Sequence, residues 1–126
     1  MRPFLTALLV VLLSCTASLA ADLTNGKRLF FDPALGGGAT GKCCFTCHEG
    51  GRGLGDDLDR RQAFTVMGNA VPNLAEVVNF CIEVALRGQG LNSQSGEMRD
   101  LTAYLVWLGK DQGTALPEER CGSPQP

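Results

Sequence analysis

The sequence predicts a small all-α domain of three to four helices. Three observations lead to this prediction. The chain has 126 residues, enough for one domain. Apolar residues recur at helical spacing in two stretches of its second half, and each stretch follows residues that favour a helix start. The segment from 44 to 48 reads Cys-x-x-Cys-His, a compact group of thiols and imidazole around which a small fold can be organised.

The charge balance argues against a nucleic-acid partner. Eleven Lys and Arg residues stand against 13 Asp and Glu residues, and the formal net charge is −2. No basic cluster is present that could neutralise a run of phosphates. A domain of this size buries a limited core, so we expect disulfides, a metal or a cofactor to contribute to its stability.

The first twenty residues are predicted to be a secretory signal peptide. Arg2 supplies the positive charge, residues 4–13 form the apolar region, and residues 18–20 form a small-x-small cleavage site. The apolar run is too short for a typical membrane-spanning helix, although an uncleaved anchor is an alternative. A second alternative is a lipoprotein box in which Cys15 is acylated. We therefore expect a periplasmic or otherwise exported protein.

The predicted organisation is a signal peptide at 1–20, a folded domain at 21–110 and an extended, Pro-containing C-terminal tail at 111–126. The exported compartment is oxidising, so each remaining cysteine must be accounted for. There are five of them: Cys43, Cys44, Cys47, Cys81 and Cys121. Because five is odd, disulfide pairing cannot account for all of them.

The first mature segment, residues 22–31, is predicted to be a helix that ends at Asp32-Pro33. Residues 36–41 are Gly-rich and are interpreted as a flexible connection, since they lack the Lys-Ser/Thr ending of a phosphate-binding loop. Residues 52–61 alternate in charge, which indicates a solvated loop.

Two further helices are predicted. Asn73 and Glu76 resemble a capping box, and Gly88 ends the helix that follows. Its apolar residues are Leu74, Val77, Val78, Cys81, Ile82 and Ala85. The last helix begins near Ser95 and ends at Gly109. Its apolar stripe contains Met98, Leu101, Leu105 and Leu108.

The motif formed by Cys44, Cys47 and His48 is the attachment motif of c-type haem. Thiols three residues apart can form thioethers with the two haem vinyl groups, and the adjacent imidazole can bind the iron. A zinc half-site and a dithiol redox pair are the alternatives, but the sequence has neither a second pair of metal ligands nor a strand–helix pattern around the motif. Cys43 makes a Cys-x-x-x-Cys-His register possible, and the common spacing favours Cys44.

The sequence leaves several candidates for the second axial ligand of the iron. His48 is the only histidine, so two imidazoles cannot come from one subunit. The candidates are Met67, Met98, Cys81, a lysine, or none. Met98 continues a core stripe, Met67 lies in a polar stretch that could reach the distal side as a loop, and Cys81 lies midway along an apolar stripe, where it could also be a small buried hydrophobic residue. A thioether ligand would raise the reduction potential and a thiolate would lower it.

The sequence resembles class I cytochrome c. The resemblance rests on Gly26-x-x-x-Phe30, on the haem motif and on Leu101-x-x-Tyr104. It implies a fold in which the first and last helices cross through a Gly/aromatic contact beside one covalently bound haem.

A more specific resemblance covers the second half of the chain. The segments at 79–81, 88–91, 95–98 and 103–108 are similar to the haem domains of thiosulfate dehydrogenase and the SoxA cytochromes, and to small His/Cys-ligated cytochromes such as NaxLS of anaerobic ammonium oxidisers. This resemblance implies that Cys81 is the distal haem ligand. The interval from the haem motif to that cysteine is shorter here, and the sequence has one haem motif where the catalytic enzymes have two.

Three functional hypotheses follow. The first is an electron-transfer cytochrome with His48 and Cys81 as ligands, which binds CO or NO when reduced and works with a redox partner, such as another c-type cytochrome in a heterodimer. The second is the haem subunit of an enzyme that oxidises sulfur compounds. The third is a plain His/Met electron carrier. Electron transfer is favoured over catalysis by this chain alone.

With three cysteines assigned to haem and iron, Cys43 and Cys121 remain. We expect them to form a disulfide that holds the tail near the haem motif. The alternatives are two free thiols or a bond between subunits through Cys121.

Overall fold

A computed structural model describes residues 20–110 and 120–123. The predicted signal peptide, Cys15 and most of the predicted tail lie outside these ranges, apart from Ala20. Within them the chain is mostly helical, with four α-helices and one two-stranded sheet. No helix in these two ranges is long and apolar enough to cross a membrane.

The helices are α1 (Leu23–Phe30), α2 (Cys44–Cys47), α3 (Leu74–Cys81) and α4 (Gly96–Lys110), with short 3₁₀ turns at Leu35–Gly37 and Glu49–Gly51 and a π-helical segment at Ile82–Leu86 that continues α3. The predicted helix starts are confirmed by their caps. Asp22 accepts hydrogen bonds from two backbone N–H groups of α1, Asn73 accepts one from Glu76, and the Ser95 hydroxyl accepts one from the backbone N–H of Met98.

Helices α1 and α4 pack against each other more extensively than any other pair of elements. They meet at Gly26, which is buried. A Cβ atom at this position would lie 2.1 Å from the Asp100 carbonyl oxygen and 2.7 Å from Tyr104 Cβ. One turn later, the Phe30 and Tyr104 rings meet edge to face with centroids 5.4 Å apart. Only a residue without a side chain allows this approach of the two helices.

Replacing Gly26 with Ala should therefore destabilise the domain. The added methyl group would contact the α4 backbone, which cannot rotate away, so we expect a loss of about 3 kcal/mol in the free energy of unfolding. The matched control is Gly96→Ala in α4, where the nearest heavy atom is Nη2 of the flexible Arg99 side chain at 3.4 Å. Urea unfolding of both variants measures the effect. Equal stabilities would show that the two helices do not pack at Gly26 as described.

A buried carboxylate also joins α1 to α4. Asp100 accepts hydrogen bonds from the Asp22 backbone N–H at 3.0 Å and from Asn25 Nδ2 at 2.9 Å. These two hydrogen bonds hold the pKa of Asp100 below its usual value. The charged form therefore stabilises the start of α1 at neutral pH, and that stabilisation is lost as the pH falls through the Asp100 pKa.

The core lies between α4, α1, α3 and the segments that connect them. Its buried members are Leu29, Phe30, Phe31, Leu35, Leu54, Leu58, Phe64, Val71, Val78, Ile82, Leu86, Met98, Leu101, Tyr104, Leu105 and Leu108. Phe31, at the end of α1, contacts Phe45 of α2 with ring centroids 5.0 Å apart. This contact places α2, which carries the Cys-x-x-Cys segment, against the core.

The expectation of an all-α domain was incomplete, because residues 64–71 form a β-hairpin. Strands β1 (Phe64–Val66) and β2 (Asn69–Val71) are antiparallel, with Phe64 opposite Val71. Met67 and Gly68 form the two-residue turn with φ of 49° and 81°. Strands of three residues are too short to give a periodic pattern, and a methionine at positive φ is not a usual turn signal.

The predicted solvated loop at 52–61 is partly correct. Most of its charged residues are exposed, and two ion pairs tie the loop together and to α4: Arg61 binds Asp57, and Lys110 of α4 binds Asp59. Leu54 and Leu58, however, are buried in the core. The loop is therefore packed against the domain through its leucines.

Candidate functional site

The Cys-x-x-Cys segment forms the single-turn helix α2, which is capped by Cys43. The Cys43 sulfur accepts a hydrogen bond from the Thr46 backbone N–H, and the Thr46 hydroxyl accepts one from the Cys43 N–H at 3.2 Å. This reciprocal pair is a capping box in which Cys replaces the usual Ser or Thr. It fixes the turn that presents Cys44, which is partly buried, and Cys47, which is exposed.

The His48 ring has a defined orientation. Its Nδ1 atom lies 2.8 Å from the backbone carbonyl oxygen of Arg52. A carbonyl can only accept a hydrogen bond, so Nδ1 carries the proton and, in the neutral ring, the lone pair is on Nε2. Histidines that bind metals through one nitrogen commonly donate a hydrogen bond from the other in this way. The ring is thus held in the tautomer that can bind a metal through Nε2.

Sequence reasoning missed the role of Arg52, because a backbone carbonyl gives no residue-type signal. The turn after His48 brings this carbonyl back to the ring. Gly53 follows it with φ of 76°, a conformation that side-chain-bearing residues rarely adopt. A glycine five residues after the histidine was the only available sequence signal.

Three predicted site thiols lie close enough for the charge of one to affect the pKa of another. They are Cys44, Cys47 and Cys81. Burial, followed by the charge of Cys81 and then that of Cys47, raises the pKa of Cys44 to about 12. Burial, followed by the charge of Cys47, also raises the pKa of Cys81. In the absence of a metal both thiols are therefore protonated at neutral pH, and deprotonation of Cys81 there would require a nearby cation.

Cys81 is the last residue of α3, at the junction with the π-helical segment. Its helical neighbours Val78 and Ile82 are buried in the core, whereas Cys81 itself is only partly buried. A partly exposed thiol is not a simple core residue. Local π-helical windings occur frequently at functional sites, which fits a thiol placed for a ligand.

The side chain of Asn79 fixes the loop that follows this helix. Its Nδ2 atom donates to the Leu91 carbonyl at 2.9 Å, and its Oδ1 atom accepts from the Leu91 N–H at 2.7 Å. These paired hydrogen bonds hold residues 88–91 against the helix that carries Cys81. Asn79 therefore positions the loop beside the Cys81 turn.

The two methionine candidates lie in different environments. Met98 is 1% exposed within the core cluster, and Met67 is 66% exposed on the hairpin turn. Packing accounts fully for Met98. Met67 lies largely exposed on the turn.

The structure joins Cys43 and Cys121 by a disulfide, with Cα atoms 5.6 Å apart and a sequence separation of 78. The Cys121 sulfur also lies 3.2 Å from the Thr46 hydroxyl, and the Gly122 N–H donates to the Phe31 carbonyl at 2.8 Å. Residues 120–123 thus pack beside α2. On the chain-entropy model, a loop of this length stabilises the folded state by about 4 kcal/mol.

Across residues 20–110 and 120–123, no three or more His, Cys, Asp or Glu side chains are grouped so that they could hold a metal ion by themselves.

A scan of the sequence against models of known protein families gave no match, and a search of curated proteins gave none either.

Proposed function

We propose that this chain is an exported mono-haem c-type cytochrome with a class I-like fold that transfers electrons. Cys44 and Cys47 would hold the haem through thioethers, His48 would bind the iron through Nε2, and Cys81 would be the distal ligand. The haem supplies an iron that exchanges single electrons. A redox partner protein, such as a second c-type cytochrome subunit, would exchange them with it.

The observation that carries this proposal is the hydrogen bond from His48 Nδ1 to the Arg52 carbonyl. It leaves Nε2 free to bind a metal, on the residue that directly follows a Cys-x-x-Cys turn. A redox-active dithiol pair does not require an oriented imidazole, and a zinc half-site requires further ligands. The contact of α1 with α4 at Gly26 supports the same proposal, because it is the helix crossing that the class I resemblance implies.

Two observations support Cys81 as the distal ligand. Its thiol lies within electrostatic range of Cys44 and Cys47, and it is only partly buried at the end of α3. Met98 is used in the core and Met67 projects from a turn. A haem iron would supply the positive charge that a partly buried thiolate requires.

Partly buried hydrophobic side chains lie on the helices that carry the candidate ligands and on the hairpin. Several hydrophobic side chains at the margin of the core are only partly buried. They include Phe45 of α2, Val66 of β1, and Leu74 and Val77 of α3. Covering such side chains with an apolar macrocycle would remove hydrophobic surface from water.

The test is expression of the full chain in a host that attaches haem c, followed by a pyridine haemochrome spectrum and intact mass. One haem per chain that survives acid extraction is expected. A purified, folded chain from the same host without covalent haem would refute the proposal.

Iron coordination by Cys81 predicts that the reduced protein binds small ligands such as CO and NO. A thiolate favours ferric iron, so after reduction Cys81 is expected to take up a proton and to leave the iron. We therefore expect CO to bind the dithionite-reduced protein and to shift its Soret band, and NO to bind likewise, while the ferric protein stays closed. No shift at saturating CO would instead indicate a His/Met carrier.

A further inference from the structure

The sequence offers three thiols for two haem vinyl groups. Cys43, Cys44 and Cys47 all precede His48 within five residues. The pair of Cys44 with Cys47 gives the common two-residue spacing, and the pair of Cys43 with Cys47 gives a three-residue spacing. Attachment in one register therefore requires that one of the first two thiols be kept from reacting.

The structure distinguishes these two neighbouring residues. The Cys43 side chain is 2% exposed, caps α2 from its N-terminal side and is bonded to Cys121. Cys44 keeps a free thiol and lies within electrostatic reach of Cys47 and Cys81. The backbone turns between them, because Cys43 is extended whereas Cys44 is helical. The disulfide thus leaves Cys44 as the one free thiol of this neighbouring pair.

Contacts from two directions hold Cys121 on Cys43. The Gly122 N–H donates to the Phe31 carbonyl at the end of α1, and the Thr46 hydroxyl contacts the Cys121 sulfur at 3.2 Å. Thr46 is also the capping partner of Cys43. The disulfide is thus built into the attachment turn itself.

We propose that the Cys43–Cys121 disulfide sets the register of haem attachment by removing Cys43 as a competing nucleophile. This inference rests on the proposed function. Cys43 and Cys121 are positioning residues in it, since neither would touch the haem. Without this disulfide, a free Cys43 thiol would compete with Cys44 for a vinyl group.

The chemistry of the two bonds explains why a disulfide at Cys43 prevents thioether formation there. In thioether formation the thiol adds across a vinyl double bond: sulfur bonds to one carbon, hydrogen to the other, and no oxidant is consumed. Disulfide formation transfers two electrons and two protons from Cys43 and Cys121 to an oxidised dithiol carrier, which is reduced. The sulfur of Cys43 in the disulfide has no S–H to add, so it cannot enter the first reaction.

The test compares Cys121→Ala with the double variant Cys43→Ala, Cys121→Ala. Both lack the disulfide and its stabilisation, but only the single variant has a free Cys43 thiol. Haem-peptide mass spectrometry of the purified full chain should show a mixture of attachment through Cys43 and Cys44 in the single variant. The double variant should show Cys44 and Cys47 only, as in the native chain.

A second pair of variants gives a gain of signal. Cys44→Ala should have one thioether, through Cys47, because Cys43 stays in its disulfide. Adding Cys121→Ala should restore a second thioether, through Cys43. Attachment through Cys44 and Cys47 alone in Cys121→Ala would overturn the inference. The absence of a second thioether in the Cys44→Ala, Cys121→Ala chain would overturn it too. In both cases haem attachment in the native chain would leave the proposed function intact. Absence of haem from the native chain would refute the proposed function instead.

Discussion

The double variant Cys44→Ser, Cys47→Ser is expected to lose all covalently bound haem. Serine hydroxyls are far weaker nucleophiles than thiols and do not form the thioethers. His48 would remain, so any haem that binds would be released by acid extraction. The measurement is haem per chain after extraction, by pyridine haemochrome and intact mass.

The matched control is Cys43→Ala, Cys121→Ala, which also removes two cysteines of the same region. It should retain one covalent haem per chain despite a loss of about 4 kcal/mol in stability from the missing disulfide. Equal haem loss in both double variants would mean that stability, and not the thiols of Cys44 and Cys47, determines haem retention.

Replacing Cys81 with Ser is expected to raise the reduction potential by on the order of 0.1 V, because axial ligation sets haem potentials over a wide range. An anionic ligand that stabilises ferric iron would be replaced by a neutral, weak one. The ferric absorption spectrum should change at the same time. Potentiometric titration and the ferric spectrum of the purified variant measure both effects.

Controls for this variant are Met98→Leu and Met67→Leu. The first is a volume-conserving change in the core and the second alters an exposed turn residue, so both should leave the potential unchanged. A shift in either methionine variant, together with an unchanged spectrum in Cys81→Ser, would move the distal ligand to that methionine.

The helices were predictable because their starts depend on local chemistry. At each start, a side-chain oxygen accepts a hydrogen bond from a backbone N–H group that would otherwise lack a partner. The side chains are those of Asp22, Asn73 and Ser95. The apolar spacing then identified which faces enter the core. The π-helical winding after Cys81 was not predictable, since a single wider turn scarcely changes the hydrophobic period.

The hairpin and the His48 partner were missed for different reasons. The strands have three residues each, and their turn uses Met67, which was considered instead as a ligand. The partner of His48 is a backbone oxygen, and every residue has one. Tertiary contacts such as that of Thr46 with Cys121 join positions 75 residues apart, and local sequence patterns do not determine such contacts.

The most direct test of the account is the electron paramagnetic resonance spectrum of the ferric full-length protein, recorded with its absorption spectrum. Coordination by His48 and the Cys81 thiolate predicts a low-spin ferric signal with the narrow g-value spread of thiolate-ligated haem. This signal should be lost in Cys81→Ser. A His/Met spectrum, or a high-spin signal from an open site in the native ferric protein, would contradict the account.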